Sequence, residues 1–438
     1  MSQGDMIKAG VCYDWFRSPE FMNGKDSVIL LTESKSGLNP KIARLVQLLE
    51  VKVPLPNYSQ RLEFVSWFNK SREKKDRPKF WGSEKDLAMY TAGLSIQAIM
   101  QLLKGYAHTK ETLQPAAVIS KIEEYLISQL GGGVVEFKRP THTLEQVVGN
   151  ARTKNFLRKI FIPRLTRGSI SGATVGGAIG SGKTFNFEAV AAMLGIPVIV
   201  LMNIRSKWFG ETDVIFERLR RILGAFHQVM IFVDEADTQF GKVSADAHAT
   251  ERRLTGKIQA MMADVKLKGK VIWLLLTARI NLLSQDILRK GRCGDVVFAI
   301  QDPVGKDQEE FIEWSLQKVM SNPASGFVSN LCVLTHGYSA ADYADLKDNF
   351  ADECKDLEKD NLSKEEILRV IGYIVPPDVA DFRRAQALHA LLKISDTRLY
   401  PEEYDNMNEL TKKQKVAQQR KAWREELTAL EAKHGVAA

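Results

Sequence analysis

The stretch that decides the fold is "GAIGSGKT", residues 177–184, which fits the pattern G-x-x-x-x-G-K-[ST]. Glycines in such a loop let backbone N–H groups close around phosphate oxygens, because no Cβ stands in the way. Lys183 supplies a positive charge for the outer phosphates, and the Thr184 hydroxyl suits Mg²⁺. The next residues, "FNFEAVAAMLG", predict a helix whose N-terminal end faces the anion.

Three apolar runs follow the loop and are separated by helix-like segments. They are "IPVIVLMN" (196–203), "QVMIFVDEAD" (228–237) and "KVIWLLLTA" (270–278). This alternation predicts an α/β fold, a parallel sheet flanked by helices on both faces. The second run ends in Asp234-Glu235, at the sheet edge where such enzymes bind ligands. There Asp234 is expected to help hold the metal ion, and Glu235 to polarise an attacking water as a general base.

Two further stretches carry side chains that each have two interpretations. "ILRKGRCGD" places Arg289 and Arg292 on one face if it is helical, either as surface charges or as forks for phosphate oxygens. "SKWFGET" (206–212) places Trp208 and Phe209 between a lysine and a glycine, in a loop or helix start. These aromatics either fold back into the core or are held out to grip another molecule.

Composition places the chain among ordinary globular proteins. It has 438 residues, 45% hydrophobic and 26% charged, which is enough for two or three domains. No apolar run reaches the ~18 residues of a membrane span, and the first residues lack the apolar core of a secretory signal. The four scattered cysteines form no C-x-x-C pair. They argue against a zinc site and a disulfide scaffold, and favour a reducing, cytoplasmic or stromal-type compartment.

The chain is basic, with a net charge of +8 and a pI of about 9.1. Such a charge is compatible with a nucleic-acid partner. However, the densest basic stretches, 69–79 and 412–424, carry or adjoin acids, and a solvated helix face or linker is the favoured interpretation of both.

Five motifs together resemble the AAA ATPases, and the AAA subfamily proper rather than clamp loaders or initiators. They are "GAIGSGKT", "SKWFGET", "IFVDEAD", "ILRKGR" and "THGYSAAD" (335–342), in the order and spacing of that family. The resemblance covers roughly residues 140 to 350. It implies an ATP-hydrolysing enzyme that uses ATP and Mg²⁺, has a helical lid domain, and assembles into a homo-oligomeric ring, a hexamer.

The resemblance also assigns roles to individual residues. It implies nucleotide contacts from Gly177, Gly180, Ser181, Gly182, Lys183, Thr184, Phe185, Val148, Gly149 and Ala340. It implies metal ligation by Thr184 and Asp234, and catalysis by Asp234, Glu235 and Thr277. Arg289 and Arg292 would reach the nucleotide of the neighbouring subunit. Lys207, Trp208, Phe209 and Gly210 would line a central pore that grips a polypeptide.

Two departures from the family pattern bear on the chemistry. The family has Thr-Asn after the third strand, where the asparagine touches the γ-phosphate, whereas this chain has Thr277-Ala278. Thr277 or Arg279 substitutes, or hydrolysis is slow. In addition, Ala178-Ile179 stand where two prolines are common.

The N-terminal region echoes the lid. "PNYSQRLEFVSW" (56–67) resembles "PVGKDQEEFIEW" (303–314), and "TAGLS" (91–95) resembles "THGYS" (335–339). An apolar run, "SVILLTES" (27–34), precedes the first copy. Such self-similarity indicates a duplicated module, here a degenerate, AAA-like half-module. The layout is similar to a plastid and cyanobacterial AAA group whose first module is inactive.

The predicted organisation has five parts. They are degenerate strands and lid (1–130), a hinge (131–143), the nucleotide-binding domain (144–304), the helical lid (305–375) and a C-terminal helical extension (376–438). The predicted function is ring-forming protein remodelling through an aromatic pore loop. A nucleic-acid-associated ATPase, a slow nucleotide-gated scaffold, and an enzyme-repair chaperone within the remodelling class stay open.

Overall fold

The computed structural model describes residues 3–25, 27–31, 38–45, 48–49, 51, 53–202, 212–240, 249–375, 379–400 and 407–433. Its contacts divide the chain into two compact units, one of residues 1–134 and 203–227 and one of residues 135–202 and 228–438. The predicted pore-loop residues Lys207, Trp208, Phe209 and Gly210 lie outside the described residues.

The helices are α1 (Gln3–Arg17), α2 (Pro19–Asn23), α3 (Pro40–Ala43), α4 (Tyr58–Lys70), α5 (Glu84–Tyr90), α6 (Ile96–Thr109), α7 (Pro115–Leu130), α8 (Ala151–Phe156), α9 (Ile162–Thr166), α10 (Lys183–Leu194), α11 (Thr212–Ala225), α12 (Ala236–Phe240), α13 (Ala249–Met262), α14 (Lys306–Leu316), α15 (Ser325–Leu334), α16 (Ala340–Asp356), α17 (Lys364–Tyr373), α18 (Ala380–Lys393) and α19 (Glu409–Lys433). The strands are β1 (Lys79–Phe80), β2 (Thr112–Leu113), β3 (Val135–Lys138), β4 (Gly172–Gly176), β5 (Val198–Leu201), β6 (Val229–Val233), β7 (Val271–Thr277) and β8 (Val296–Ala299).

The second unit is built on a six-stranded sheet of order β3-β5-β6-β7-β4-β8. Every neighbouring pair from β5 to β8 is parallel, which confirms the predicted sheet and its three apolar strands. Strands β4, β6 and β7 are almost wholly buried, as continuous apolar runs require when both faces are covered. The rings of Phe161, Phe187 and Phe298 meet edge to face in the core beside this sheet.

Strand β3 corrects the predicted hinge at 131–143. It pairs antiparallel with β5, with Val135 opposite Leu201. Val135 and Phe137 are buried while the two residues that alternate with them are only partly covered. This period of two is the pattern of an edge strand, so residues 135–138 belong to the sheet rather than to a linker.

The lid helices α14 to α17 pack around their own apolar core, which includes Phe311, Tyr343 and Phe350. A capping box starts α16, because Ser339 and Asp342 each accept the other's backbone N–H. This local signal, written in the sequence as "SAAD", fixes where the helix begins.

The first unit repeats the turn chemistry of the lid. Within 91–95 and 335–339, the hydroxyls of Thr91 and Thr335 each donate to the carbonyl four residues earlier. The glycine of each stretch has a positive φ, 92° and 83°, and the final serine of each caps the next helix. By contrast, residues 27–31, the described part of the predicted N-terminal strand, form no strand. The duplicated module stays a prediction, and the described part of the apolar run 27–34 is not a strand.

A buried arginine ties the first unit together. Arg61 is fully buried and donates to the backbone carbonyls of Pro56, Ala88 and Ala225. Burial lowers its pKa to about 10. Since Ala225 ends α11, this one side chain joins α4, α5 and α11.

Replacing Arg61 with leucine is expected to destabilise the first unit by about 3 kcal/mol, because three carbonyls lose their shared donor. Thermal unfolding followed by circular dichroism measures the effect. The exposed Arg77→Leu is the control and should shift stability by less than about 0.5 kcal/mol. Equal melting curves for the two variants would contradict the assigned role.

Candidate nucleotide-binding site

A cavity of about 750 Å³ opens at the carboxyl ends of β4, β6 and β7. Its wall includes residues of the loop 177–184, of the lid helices α14 and α16, and of helix α18. Of the sequence-predicted residues, those that line the cavity are Val148, Gly180, Gly182, Lys183, Thr184, Phe185, Asp234, Glu235 and Ala340. The structure therefore brings most of the predicted site into one place.

The loop has the shape that phosphate binding needs. Gly180 and Gly182 both have φ of 81°, in the left-handed region that favours glycine. A Cβ on Gly177 would come within 2.3 Å of the Ile300 carbonyl oxygen, so only glycine fits there. Ser181, within the loop, is buried and, like Gly177, does not line the cavity.

Lys183 begins α10, where the unpaired N–H groups of the first turn also point. Its Nζ donates to the carbonyl oxygens of Gly177 and Ala178, at 3.0 and 2.7 Å. Burial lowers the pKa of Lys183 to about 8, against the opposing effect of the Asp234 and Asp302 carboxylates. The ammonium is thus held inside the loop, ready to exchange carbonyl partners for phosphate oxygens.

Asp234 and Glu235 follow β6 directly and face the cavity. Glu235 has a φ of 46°, which is uncommon for a residue with a side chain. Its backbone is fixed on both sides: its N–H donates to Asp234 Oδ1 at 2.9 Å, and its carbonyl accepts from the Thr238 hydroxyl at 2.7 Å. Strained backbone of this kind is concentrated at functional sites, and here it aims an exposed carboxylate into the cavity.

Of the two residues expected to substitute for the missing asparagine, Arg279 lines the cavity and Thr277 does not. Its buried hydroxyl donates to Asp237 Oδ1 at 2.6 Å, and Arg279 Nε donates to Asp237 Oδ2 at 2.7 Å. Asp237 and Ala278 line the cavity as well. Asp237 itself was missed, although its position in "DEAD" was the available signal.

The oxygen donors fit Mg²⁺. The Thr184 hydroxyl and the Asp234 carboxylate line the same cavity, and Mg²⁺ favours one or two protein oxygens together with water and substrate phosphate. Within the part of the chain that the structure describes, no cluster of three or more His, Cys, Asp or Glu side chains offers an all-protein metal cage.

Val148 and Gly149, two of the expected nucleotide contacts, lie at different places relative to the cavity. Val148 lines the cavity, with Phe311 and Trp314 of α14. Gly149 lies behind it, where its N–H donates to Glu310 and a Cβ would come within 2.8 Å of the Phe311 ring. Gly149 therefore shapes the wall without touching the cavity.

Arg289 and Arg292 do not line the cavity of their own chain. Arg289 is exposed and forms an ion pair with Asp286 at 3.3 Å. Arg292 donates to the Asp286 carbonyl oxygen at 2.7 Å and to Gln259 at 3.3 Å. Of the two, Arg289 has the more accessible guanidinium.

Helix α18 contributes two cavity residues that the sequence did not reveal, Phe382 and Gln386. They are four residues apart and share a helix face. Neither belongs to a motif, and the sequence predicted only that the segment from 376 onward is helical.

Residues 174–300 match the family model described as "ATPase family associated with various cellular activities (AAA)". The chain is similar to ATPase family gene 2 protein of Schizosaccharomyces pombe, 28% identical over 40% of this chain and 22% of that protein. It is also similar to meiotic spindle formation protein mei-1 of Caenorhabditis elegans, 22% identical over 52% of this chain and 50% of that protein. A crystal structure of the FIGL-1 AAA domain aligns with 58% of this chain and 90% of its own, at 18% identity and a TM-score of 0.45. These alignments span about a fifth to a half of the curated relatives' length.

Proposed function

We propose that this chain, which contains an ATPase domain of the AAA family, hydrolyses ATP and uses the energy to remodel a protein partner. The observation that carries the proposal is that a phosphate loop and a strand-end acidic pair line one cavity. Neither feature alone specifies hydrolysis, but together they supply an anion cradle and a base.

Each residue of the cavity has a chemical task in this proposal. Backbone N–H groups of the loop and the Lys183 ammonium hold the β- and γ-phosphates and balance their charge. The Glu235 carboxylate accepts a proton from the water that attacks the terminal phosphate. Thr184 and Asp234 would hold Mg²⁺, which supplies charge neutralisation on the phosphate oxygens when bound.

The assembly in this proposal is a ring of copies of the chain, a hexamer by analogy with the family. Arg289 and Arg292 do not line their own cavity, and a positive charge supplied from outside the chain would stabilise the negative charge that develops in the transition state. A neighbouring copy is the source that satisfies both facts. The aromatic loop at 207–210 is proposed as the grip on the protein partner. No helix among the described residues has the length and apolar character to cross a bilayer.

The test is ATP binding and turnover with Lys183→Ala. We expect the dissociation constant for ATP to rise about a hundredfold, since a buried charge-assisted contact to phosphate is lost. Titration with a fluorescent ATP analogue measures it. Lys159→Ala, an exposed lysine outside the cavity, is the control and should bind like wild type. Unchanged affinity in Lys183→Ala would refute the proposed site.

A second candidate function is a slow nucleotide-gated scaffold, and Ala278 is the observation that favours it. This methyl group lines the cavity where the family has an asparagine, and the neighbouring Arg279 is engaged by Asp237. A scaffold predicts tight ATP binding with negligible turnover, alone and with added protein clients. Measuring steady-state phosphate release per bound nucleotide separates the two functions.

A further inference from the structure

We propose that Gln386 of α18 is a nucleotide-binding residue, whose side-chain amide donates to a phosphate oxygen in the cavity. The inference rests on the proposed ATP site and extends it to the C-terminal segment, which the family match at 174–300 does not include. It assigns to α18 a role in recognising the substrate of that site.

The orientation of the Gln386 amide carries the argument. The Ile179 backbone N–H donates to Gln386 Oε1 at 3.2 Å. A backbone N–H can only donate, so the atom that faces it is the side-chain oxygen, and the NH₂ group is directed elsewhere. Where the family commonly has proline at position 179 this bond could not form, because proline has no N–H.

The NH₂ group of Gln386 is directed into the cavity. Gln386 is only 4% exposed, yet it is part of the cavity wall. Among the described residues, the hydrogen bond of the Gln386 side chain is the one that its Oε1 accepts from Ile179, and its Nε2 donates to no protein acceptor. The Nε2 donor is therefore available to the cavity, where a phosphate oxygen beside the loop would be a charged acceptor for it.

Packing holds α18 close enough for this contact. Ala390 lies so near the end of β4 that a Cβ on Gly176 would come within 2.9 Å of it. Arg383 donates to Asp302, which follows β8, at 2.7 Å. On the opposite side, Arg384 pairs with Glu426 of α19 through two hydrogen bonds of 2.6 and 2.9 Å. The helix is thus fixed to the sheet and to α19, and Gln386 cannot withdraw freely.

The decisive variant is Gln386→Glu. A carboxylate still accepts from the Ile179 N–H, but it replaces the amide donor with a negative charge facing the phosphates. We expect dissociation constants for ADP and for tripolyphosphate to rise roughly tenfold to a hundredfold, as the loss of a hydrogen bond to a charged group predicts. Adenosine binding should be unchanged. Competition against a fluorescent ADP analogue measures all three, without relying on turnover.

Three companion variants keep the proposal falsifiable. Gln386→Met, which is neutral and cannot donate a hydrogen bond, should weaken the binding of ADP and tripolyphosphate by a smaller factor. It serves as the test variant if Gln386→Glu fails to fold. Arg384→Ala loosens the α19 contact without touching the cavity and should bind like wild type. If Arg384→Ala weakens binding equally, or if Gln386→Glu binds like wild type, Gln386 only anchors the helix and the proposal is wrong. Lys183→Ala run alongside reports on the ATP site itself, so a failure of that site is recognised separately.

Discussion

Replacing Arg289 with alanine should lower ATP turnover about a thousandfold or more, while ATP affinity stays near that of wild type. An arginine supplied by a neighbouring subunit to a phosphoryl transition state is worth roughly 10³–10⁵ in rate. Arg289 is the sharper test of the pair because its guanidinium is exposed and lies outside its own cavity. Steady-state phosphate release at saturating ATP measures the loss. Turnover within about threefold of wild type would contradict a role in catalysis.

A mixing experiment distinguishes a neighbour's arginine from one that acts within its own chain. Chains with Arg289→Ala and chains with Glu235→Gln should each be nearly inactive alone. In a mixed ring, some interfaces combine an intact Glu235 with an intact Arg289 from the next chain, so activity should partly return. No recovery on mixing, with both variants folded and assembled, would exclude action across the interface.

Arg292→Ala is a less direct test of the same idea. The Arg292 side chain donates to the Asp286 carbonyl oxygen and to Gln259 of α13, so its removal also releases a local structural contact. A melting curve must therefore accompany its turnover. Lys290→Ala, in the same exposed stretch, is a control of similar charge change and should retain turnover.

The sequence predicted the sheet and the loop well because their signals are local. Continuous apolar strands are expected wherever a sheet is covered on both faces, and the glycines of 177–184 have few other uses. The placement of Asp234 and Glu235 followed from the topology, since parallel strands end at the same edge. The positive φ of Glu235, however, depends on contacts in the folded chain, and a glutamate in the sequence does not predict it.

The failures share a physical cause, which is dependence on long-range contacts. Residues 27–31 are apolar enough for a strand, but strand formation requires a partner, and they pair with no strand among the described residues. Residues 135–138 follow three glycines and were predicted to be part of a linker, but they pair with β5 as an edge strand of the sheet. Likewise, Gln386 lies 207 residues beyond Ile179, and no pattern in either segment predicts that they meet.

Glu235→Gln should reduce ATP turnover about a thousandfold while ATP remains bound. General-base catalysis by a positioned carboxylate contributes about 10²–10⁴ in rate, and glutamine retains the shape of the side chain but cannot accept the proton. The substitution adds little backbone strain, because the left-handed φ of position 235 is about as unfavourable for glutamine as for glutamate. The exposed Glu313→Gln on α14 is the matched control and should hydrolyse ATP like wild type.

The bound nucleotide in Glu235→Gln decides how the missing asparagine at position 278 is compensated. If Glu235 activates the water unaided, wild type should turn over and the variant should retain ATP rather than ADP after separation from free nucleotide. If wild type and variant retain ATP equally, hydrolysis was already blocked before the substitution, and Ala278 rather than Glu235 limits turnover.

An Ala278→Asn variant tests the same question by restoring the asparagine of the family. Because its amide would restore a polar contact at the cavity wall beside Arg279, it should raise turnover in the wild-type background but not in the Glu235→Gln background.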